Sequence, residues 1–323
     1  MEEQPLVTIR CITYNHEPYI RQCLEGFVMQ KTNFKFEAIV HDDASTDKTA
    51  DIIREYAEKY PDIIKPIYET ENQYSKSDGS LGRIMNAHTK GKYIALCEGD
   101  DYWTDPLKLQ KQVDFLENNP EYGMCFTNVD RYFQDSNKWE KAYFDESISD
   151  EVSSLSKYII RVPWIATCTW VLRSKCLKKY NPLISGVKMV YGDLPLVLHI
   201  LLSYKVHYLP STTTVYRVLN SSASHGHSLR KQYKINESIL KLRLYYCEYS
   251  KLNNEKGLVK HNYYKSNYNL ILCYGNYQEI KEAYNILRED TGLSKKQRFI
   301  IRYSNIYLFR KLFCCIYKLR YII

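Results

Sequence analysis

Short apolar runs alternate with amphipathic segments from about residue 6 to residue 133. Apolar residues at every third or fourth position predict helices, and short continuous apolar runs predict buried strands. Alternating strands and helices are typical of α/β domains with a mostly parallel sheet flanked by helices. The predicted strands cover residues 7–13, 36–40, 63–68, 93–97 and 122–133. Helices are predicted near residues 18–28, 46–60 and 104–116.

The second half of the chain predicts further strands and then a helical region. Residues 134–157 are rich in Ser, Asp and Glu and lack apolar periodicity, so we expect a surface excursion there. Strands are predicted at 165–172, 206–209 and 212–218, and a helix at 193–203. From Ser228 onward the pattern is helical, with many Tyr, Leu, Ile and Lys residues. We therefore predict an α/β domain over residues 1–222 and a helical C-terminal region over residues 223–323.

The excess of positive charge is confined to the C-terminal tail. Residues 294–323 hold eight Lys and Arg residues and no Asp or Glu, and the remaining residues are balanced because 45 minus 8 leaves 37 cations against 37 acids. A basic tail favours an anionic partner. Its apolar residues are interleaved with cations, which fits an interfacial helix on anionic lipid and equally a helix packed on its own domain. No nucleic acid is expected, because the motifs of the common binding modules are missing.

The cysteines and the first residues indicate where the protein works. Ten cysteines are scattered along the chain without CxxC pairs or zinc-type histidine spacing, which predicts reduced thiols. The chain starts with acidic residues and no apolar stretch, so we expect no secretory signal. No uncharged apolar run in the tail approaches the ~18 residues of a membrane span. We expect a cytoplasmic protein, peripheral on the inner face of the cell membrane if the tail binds lipid.

Two acidic clusters follow predicted strands, His41 to Asp47 after the second and Glu98 to Asp101 after the fourth. Ligands of open α/β sheets bind beyond the carboxyl ends of parallel strands, so these carboxylates can converge. Crowded carboxylates repel one another unless a cation or a hydrogen-bonding ligand lies between them. Carboxylates, waters and phosphate oxygens suit a hard divalent ion. The clusters therefore predict a metal ion and a nucleotide.

Each candidate in these clusters has an alternative interpretation. Asp101 is the first candidate metal ligand and Asp100 could bind a ribose hydroxyl, although either could instead cap the next helix. Asp43 could accept a hydrogen bond from the N–H edge of a base, whereas capping explains one or two of its neighbours. The end of the first strand would line the same crevice or form only a tight turn. This stretch is Thr13-Tyr14-Asn15-His16-Glu17, and its candidate binding residues are Thr13, Tyr14, Asn15 and Glu17, with Tyr14 available to stack.

The ordered motifs Thr13-Tyr14-Asn15, Asp42 to Asp47 and Glu98 to Asp101 resemble those of the family 2 glycosyltransferases, which have the GT-A fold. The resemblance covers roughly residues 5–222 and is most specific in about the first 110 residues. It implies a donor half to about residue 133, an acceptor half from about 134 to 222, and inverting transfer of a sugar from a UDP- or GDP-linked donor with Mg or Mn. The implied roles are the base for Asp43, the ribose or sugar for Asp100, the metal for Asp101 and a donor-binding cation for Arg83.

Two later segments extend the resemblance. Tyr191 to Leu196 resembles the family's segment with the catalytic base at the start of a helix, which makes Asp193 the candidate base and a plain helix cap the alternative. A carboxylate positioned to take the acceptor proton typically contributes ~10²- to 10⁴-fold. Tyr216-Arg217, followed by Ser222 to His227, resembles a region of further metal or diphosphate contacts. His225 is the candidate ligand there, with His227 as its competitor and a solvated surface histidine as the alternative.

The sequence thus predicts a glycosyltransferase that transfers sugar to a hydroxyl of a glycan or lipid-linked acceptor. One rival is a sugar-nucleotide nucleotidyltransferase, which needs a Gly-rich basic phosphate loop after the first strand. Residues 12–16 contain no glycine. The other rival is a carbohydrate-binding protein on the same fold that has no turnover.

Overall fold

The computed structural model describes residues 4–177, 180, 192–219 and 228–319. Within these residues, one sheet contains β1 (Val7–Thr13), β2 (Phe36–Asp42), β3 (Ile64–Tyr68), β4 (Tyr93–Leu96), β5 (Tyr102–Trp103), β6 (Tyr122–Phe133), β7 (Lys138–Glu140), β8 (Val171–Arg173) and β9 (Lys205–Val218). The strand order is β3-β2-β1-β4-β8-β6-β9-β5, and β7 pairs with β6.

The helices follow the strands in alternation at first and then dominate the C-terminal part. They are α1 (Ile20–Val28), α2 (Thr49–Lys59), α3 (Gln73–Lys76), α4 (Ser80–His88), α5 (Lys108–Asn118), α6 (Ser147–Glu151), α7 (Leu155–Arg161), α8 (Asp193–Leu201), α9 (Leu229–Tyr249), α10 (Asn253–Tyr274), α11 (Tyr277–Leu287), α12 (Lys295–Tyr303) and α13 (Tyr307–Leu319). Two short 3-10 turns cover Thr167–Thr169 and Ser174–Leu177.

The first four strands in sheet order are parallel, as the alternating pattern predicts. β1 pairs in parallel with β2 and with β4, and β2 pairs in parallel with β3. Their central residues are buried, because helices cover parallel strands on both faces. The inward stripe of α1, which includes Ile20, Leu24 and Phe27, is fully buried. The predicted α/β fold class is confirmed.

The other strands depart from the predicted parallel arrangement. β8 runs antiparallel to β4 and β6, and β5 runs antiparallel to β9. The two short strands predicted at 206–209 and 212–218 form the single strand β9, which pairs in parallel with β6. Pairing jumps from Thr127–Leu209 to Asn128–Thr212, so Pro210 and Ser211 form a bulge. Proline cannot donate to a ladder and is tolerated at bulges, so it interrupts the pattern without ending the strand.

The predicted surface excursion over residues 134–157 is wrong in one respect. This stretch contains β7 and α6, and it buries the side chains of Phe144, Ile148 and Val152. Phe144 packs edge-on against Phe126 of the sheet, with ring centroids 5.8 Å apart. These three apolar residues, each four positions from the next, attach a polar segment to the core. Their helical spacing is present in the sequence but stands among Ser, Asp and Glu residues, so the surface prediction missed it.

The described residues divide into two compact units. One comprises residues 4–155, 163–177, 180 and 199–219, and the other comprises 156–162, 192–198 and 228–319. The predicted boundary at residue 222 lies outside the described residues, so the division at that point stays a prediction. In the second unit the buried Arg243 donates to the carbonyl oxygens of Ile159 and Ile160 at 2.7 and 2.6 Å. None of the described helices is long and apolar enough to span a membrane.

The approach of Gly91 to β1 yields a stability prediction. A Cβ at Gly91 would lie 2.5 Å from the Thr8 nitrogen and 2.6 Å from the Tyr93 oxygen, which are backbone atoms that cannot turn away. We expect Gly91→Ala to lower the free energy of unfolding by about 2 kcal/mol or more. The matched control is Gly82→Ala on α4, where nothing lies within 4 Å of the added Cβ. Because alanine favours helix, the control should gain about 0.5–1 kcal/mol. Urea unfolding of both variants checks the prediction, and equal changes would contradict it.

Candidate functional site

The loops after β1 and β2 lie side by side at one edge of the sheet. Thr13 and Asp42, the last residues of the two strands, are paired in register. The loops are joined by hydrogen bonds in both directions. The Asn15 N–H donates to Ser45 Oγ at 2.9 Å, and the Thr46 N–H donates to Asn15 Oδ1 at 2.8 Å. Asn15 has a φ of 54°, a left-handed conformation that asparagine tolerates better than most residues.

Glu17 extends this connection by a reciprocal pair of bonds. The Glu17 N–H donates to Asp47 Oδ2 at 3.0 Å, and Glu17 Oε2 accepts from the Lys48 N–H at 3.1 Å. The structure thus brings Asn15 and Glu17 together with the first acidic cluster. Tyr14, between them and the strand, is 45% exposed, so its ring is available to a ligand.

The second acidic cluster reaches the same edge through Gly99. A Cβ there would lie 2.6 Å from Thr13 Oγ1 and 2.9 Å from His16 Nδ1, so only glycine fits without displacing them. The Gly99 N–H donates to the Ile12 oxygen at 3.0 Å, which continues the β1–β4 ladder. Thr13 Oγ1 and His16 Nδ1 are buried and lack a hydrogen-bond partner in the described part of the chain. Two polar atoms are therefore available where the clusters meet.

His16 marks the point where the carboxylates converge. Burial lowers its pKa, and the nearby carboxylates of Asp100, Asp47 and Asp42 act in the opposite direction. Asp100 lies in the loop after β4, Asp42 is the last residue of β2 and Asp47 lies in the loop after β2. Burial also raises the pKa of Asp42, and the neighbouring Asp47 adds to the rise. The predicted convergence of the two clusters is therefore present, and His16, which belongs to the stretch expected to line the crevice but was given no individual role, lies at its centre.

Asp101 is held differently from Asp100. Asp101 is 2% exposed, and its Oδ1 accepts the Arg217 N–H at 2.7 Å, whereas Asp100 is partly exposed. Burial raises the pKa of Asp101 well above its ordinary value, as do the charges of Asp100 and Glu98. The Asp101 carboxylate thus ties the acidic loop to β9. Its role as a metal ligand stays a prediction.

Arg217 lies in the segment that resembles a region of metal or diphosphate contacts, although the sequence analysis gave it no individual role. Its buried guanidinium donates to the Asp100 carbonyl oxygen, to Gln134 Oε1 and to Gln22 Oε1 at 2.7 to 2.8 Å. It also lies 4.8 Å from the ring centroid of Tyr19. A cation in the apolar pattern of a predicted strand is the signal that could have identified it, because buried arginines need partners.

Asp43 is engaged by the backbone of α3. Its Oδ1 accepts the Gln73 N–H at 2.6 Å, its Oδ2 accepts the Tyr74 N–H at 3.0 Å, and the residue is 1% exposed. Asp43 therefore orders the segment after β3 in this structure, and its contact with a base stays a prediction. Arg83 lies on α4 with an exposed side chain, and its Nη1 donates to the Asp78 carbonyl oxygen at 2.8 Å.

The residues around the turn at Thr167–Thr169 differ in burial. Trp170 is 1% exposed and belongs to the core, whereas Trp164 is 38% exposed. The Thr167 hydroxyl donates to Glu98 Oε2 at 2.9 Å, so the turn at Thr167–Thr169 contacts the second acidic cluster. Glu98 is thereby oriented by a residue 69 positions away in the chain.

Asp193 is the first residue of α8 in the second unit. Its Oδ1 accepts the Leu194 N–H at 2.7 Å, as expected of a carboxylate at a helix start. Burial raises the pKa of Asp193, because the charged form loses contact with water. The buried Tyr158 lies near enough for the Asp193 charge to raise the pKa of its hydroxyl further, after burial itself. His225 and His227 lie outside the described residues.

The site has the chemistry for a hard cation but not a complete protein cage. Across residues 4–177, 180, 192–219 and 228–319, no group of three or more His, Cys, Asp or Glu is arranged to hold a metal ion. Mg²⁺ in nucleotide enzymes typically takes one or two carboxylates and fills its other positions with waters and phosphate oxygens. The carboxylates of Glu98 and Asp100, both partly exposed, fit that pattern.

Comparison with known proteins identifies relatives of this chain. The family model for glycosyl transferase family 2 matches residues 8–180. An uncharacterized protein of Mycobacterium bovis is 47% identical over 132 residues, which cover 41% of this chain and 37% of that protein. The putative teichuronic acid biosynthesis glycosyltransferase TuaG of Bacillus subtilis is 31% identical over 139 residues, 43% of this chain and 52% of TuaG. The chain thus matches less than two thirds of the length of these relatives.

Solved structures share the fold over nearly the whole chain. S. aureus TarS in complex with UDP-GlcNAc has a TM-score of 0.60 at 17% identity, covering 98% of this chain and 91% of that one. The mannosyltransferase PcManGT of Pyrobaculum calidifontis, in complex with GDP-Man and Mn²⁺, has a TM-score of 0.53 at 16% identity, covering 98% and 88%. At these identities the likeness establishes the fold alone.

The bonds of Arg217 yield a prediction for the acidic loop. We expect Arg217→Lys to weaken binding of UDP or GDP with Mn²⁺ by about tenfold, because one ammonium cannot replace a guanidinium that holds three oxygens. Arg173→Lys is the matched control, since this buried arginine also bonds to carbonyl oxygens, among them that of Tyr122 at 2.8 Å. Both variants should lose stability, and only the first should lose affinity in calorimetric titration. Equal affinity losses would contradict the assignment.

Proposed function

Because the chain belongs to glycosyl transferase family 2, we propose that it is an enzyme that transfers a sugar from a nucleotide-sugar donor to a hydroxyl of a glycan or lipid-linked acceptor. The observation that carries the proposal is the convergence of Asp42, Asp47 and Asp100 on His16 at the carboxyl edge of parallel strands. A UDP- or GDP-linked donor is supported by the ligands in the TarS and PcManGT structures. A polysaccharide acceptor is supported by the name of TuaG.

The proposal includes a divalent Mg or Mn ion that would neutralise the charge of the diphosphate leaving group when bound. Asp100 and Glu98 are the better candidates for metal ligands, because their carboxylates are partly accessible and both residues adjoin Gly99. Asp101, the ligand predicted from the sequence, is the weaker candidate because its buried Oδ1 already accepts the Arg217 N–H. His225 remains a proposed further ligand.

The proposed donor contacts follow from the loop after β1. Tyr14 is exposed and could stack on the base, and Thr13 offers a buried hydroxyl without a partner among the described residues. Asn15 and Glu17 act by holding the loop against the first acidic cluster. Asp43 would act on the base side by ordering α3, and Arg83 could meet the donor's negative charge if it leaves Asp78. These roles are proposals.

In the proposed reaction, the acceptor hydroxyl oxygen bonds to the anomeric carbon as the bond from that carbon to the diphosphate oxygen breaks. A single displacement of this kind inverts the configuration. Asp193 takes the hydroxyl proton, and its raised pKa makes it a stronger base than an exposed aspartate. The enzyme would work in the cytoplasm, at the inner face of the cell membrane if its acceptor is lipid-linked.

The rival without catalysis is a carbohydrate-binding protein on the same fold. Measured transfer or donor hydrolysis would exclude this rival. Sugar binding with no hydrolysis and no transfer, for every metal and acceptor tested, would favour it. The nucleotidyltransferase rival predicts formation of nucleotide sugar from nucleoside triphosphate and sugar phosphate. Its expected phosphate loop is not supported, because the loop after β1 contains no glycine.

The cation proposal makes Asp100 and Asp101 distinguishable. We expect Mn²⁺ to stimulate hydrolysis of UDP-GlcNAc or GDP-Man by the native protein and EDTA to abolish it. Asp100→Asn should lower the Mn²⁺-dependent rate by about 10²-fold, because it removes charge at the accessible carboxylate. Asp101→Asn should keep most of that rate, since an amide oxygen can still accept the Arg217 N–H. The opposite order of the two variants would restore Asp101 as the ligand, and an EDTA-resistant rate would refute the cation.

The proposed base predicts a pH profile. Protonated Asp193 cannot accept a proton, so the transfer rate should fall as pH drops through its raised pKa and level off above it. Asp193→Asn should reduce transfer by ~10²- to 10⁴-fold with donor affinity unchanged. Because a raised folded pKa makes the ionised residue destabilising above that pKa, the same variant should raise the Tm at neutral pH. Asp150→Asn on α6 is the exposed control. A variant at 193 with full transfer activity would refute the assignment.

A further inference from the structure

The C-terminal helix α13 turns an apolar face to solvent. Leu308, Leu312 and Leu319 are 74%, 62% and 58% exposed, and Ile316 is 47% exposed. These positions recur at intervals of three or four residues, so they form one stripe along the helix. Such a stripe in a soluble protein ordinarily faces the core. A run of four large exposed aliphatic side chains on one helix therefore requires an explanation.

The face of α13 next to the stripe already contacts other helices, so the helix cannot bury the stripe by turning about its axis without losing those contacts. Phe309 contacts the rings of Phe299 and Tyr303 on α12, with centroids 5.8 and 5.9 Å apart. Phe313 stacks between Phe309 and Tyr317, with centroids 6.3 and 5.8 Å away. Cys314, next to them, donates its S–H to a carbonyl oxygen of α10 at 3.3 Å. The aromatic side chains are thus half-buried against neighbouring rings, whereas the aliphatic side chains stay exposed.

The surroundings of the stripe are positively charged. The segment 294–323 holds eight Lys and Arg residues and no acid, while the rest of the chain is neutral. Lys311 is exposed one turn from Leu308, and Lys318 lies two turns beyond Lys311 along the same edge of the stripe. The Lys318 ammonium lies 4.8 Å from the ring centroid of Tyr274, a contact with an aromatic ring that leaves its positive charge unneutralised. The apolar face is therefore bordered by cations.

The groove beside the stripe is apolar as well. A cavity of about 470 Å³ lies between α12 and α13 and is lined by Phe299, Phe309, Leu312, Phe313 and Ile316, with Lys296 among its residues. Its walls suit a hydrocarbon chain, and the ammonium suits a phosphate. Apolar side chains, a hydrocarbon-shaped groove and cations thus occur together on α12 and α13.

We propose that α12 and α13 form the surface by which this protein lies on an anionic lipid bilayer, with the aliphatic stripe in the interface and the lysines at the headgroups. A second copy of the chain fits less well. A symmetric dimer through this face would oppose two sets of cations with no carboxylate in either tail to pair with them. The inference depends on the proposed transferase function only in its biological purpose, which is access to a lipid-linked acceptor. Bilayer binding and turnover are measured separately, so either can fail alone.

The test is cosedimentation of the full chain with vesicles of phosphatidylcholine, alone or mixed with phosphatidylglycerol. We expect binding only to the anionic vesicles and weaker binding at high salt. Lys311→Gln and Lys318→Gln should each weaken the partition constant by about fivefold. Leu308→Ser and Leu312→Ser should each weaken it by about tenfold. Donor hydrolysis should be unchanged in all four variants.

The matched controls carry the same changes elsewhere in the second unit. Lys231→Gln and Lys234→Gln alter exposed lysines on α9, and Leu258→Ser alters a leucine of α10 that is 50% exposed. These should bind vesicles like the native chain. The proposal is overturned if the native chain ignores anionic vesicles, if the controls lose as much binding as the test variants, or if the stripe variants instead abolish a lipid-free dimer in analytical ultracentrifugation. Hydrolysis without vesicle binding would leave the transferase proposal intact.

Discussion

The acidic crevice depends on the contact of Gly99 with Thr13 and His16. The contact is too close for any Cβ at position 99, since such an atom would lie 2.6 Å from Thr13 Oγ1. Because β1 lies between β2 and β4 in the sheet, this contact places the loop after β4 against the end of β1, where the first acidic cluster already lies. Arg217 holds the other side of the same loop through the Asp100 carbonyl oxygen. Backbone packing at Gly99 and the buried Arg217 guanidinium thereby hold the acidic loop in place despite the repulsion between its carboxylates.

Local patterns in the sequence predict the strands and the positions of both acidic clusters. The apolar runs at Val7–Thr13 and Tyr122–Phe133 coincide with β1 and β6, and the acids that follow parallel strands meet at one edge. The choice between neighbouring carboxylates could not be predicted. Asp101 is buried, and its Oδ1 accepts a hydrogen bond from the N–H of Arg217, which is 116 positions away in the chain. Tertiary packing decides which of the two adjacent aspartates contacts this distant residue. The local sequence around residues 100 and 101 does not predict that contact.

Local sequence likewise does not predict which face of a helix packs or how the strands pair. Periodicity predicts the aliphatic stripe of α13, but which face packs depends on the rings of α12, with which Phe309 is in contact. Likewise, Pro210 breaks the strand pattern in the sequence, while pairing with β6 carries β9 through the bulge. The antiparallel strand β8 joins two parallel parts of the sheet, a topology that no local signal encodes.

The most direct test of the account is a crystal structure with Mn²⁺ and UDP or GDP, in which anomalous scattering locates the metal. The account predicts one Mn²⁺ bonded to an Asp100 oxygen and to both phosphates, with the base beside Tyr14. A nucleotide bound at another edge of the sheet, or a diphosphate in this crevice with no metal and Asp100 turned to solvent, would contradict it.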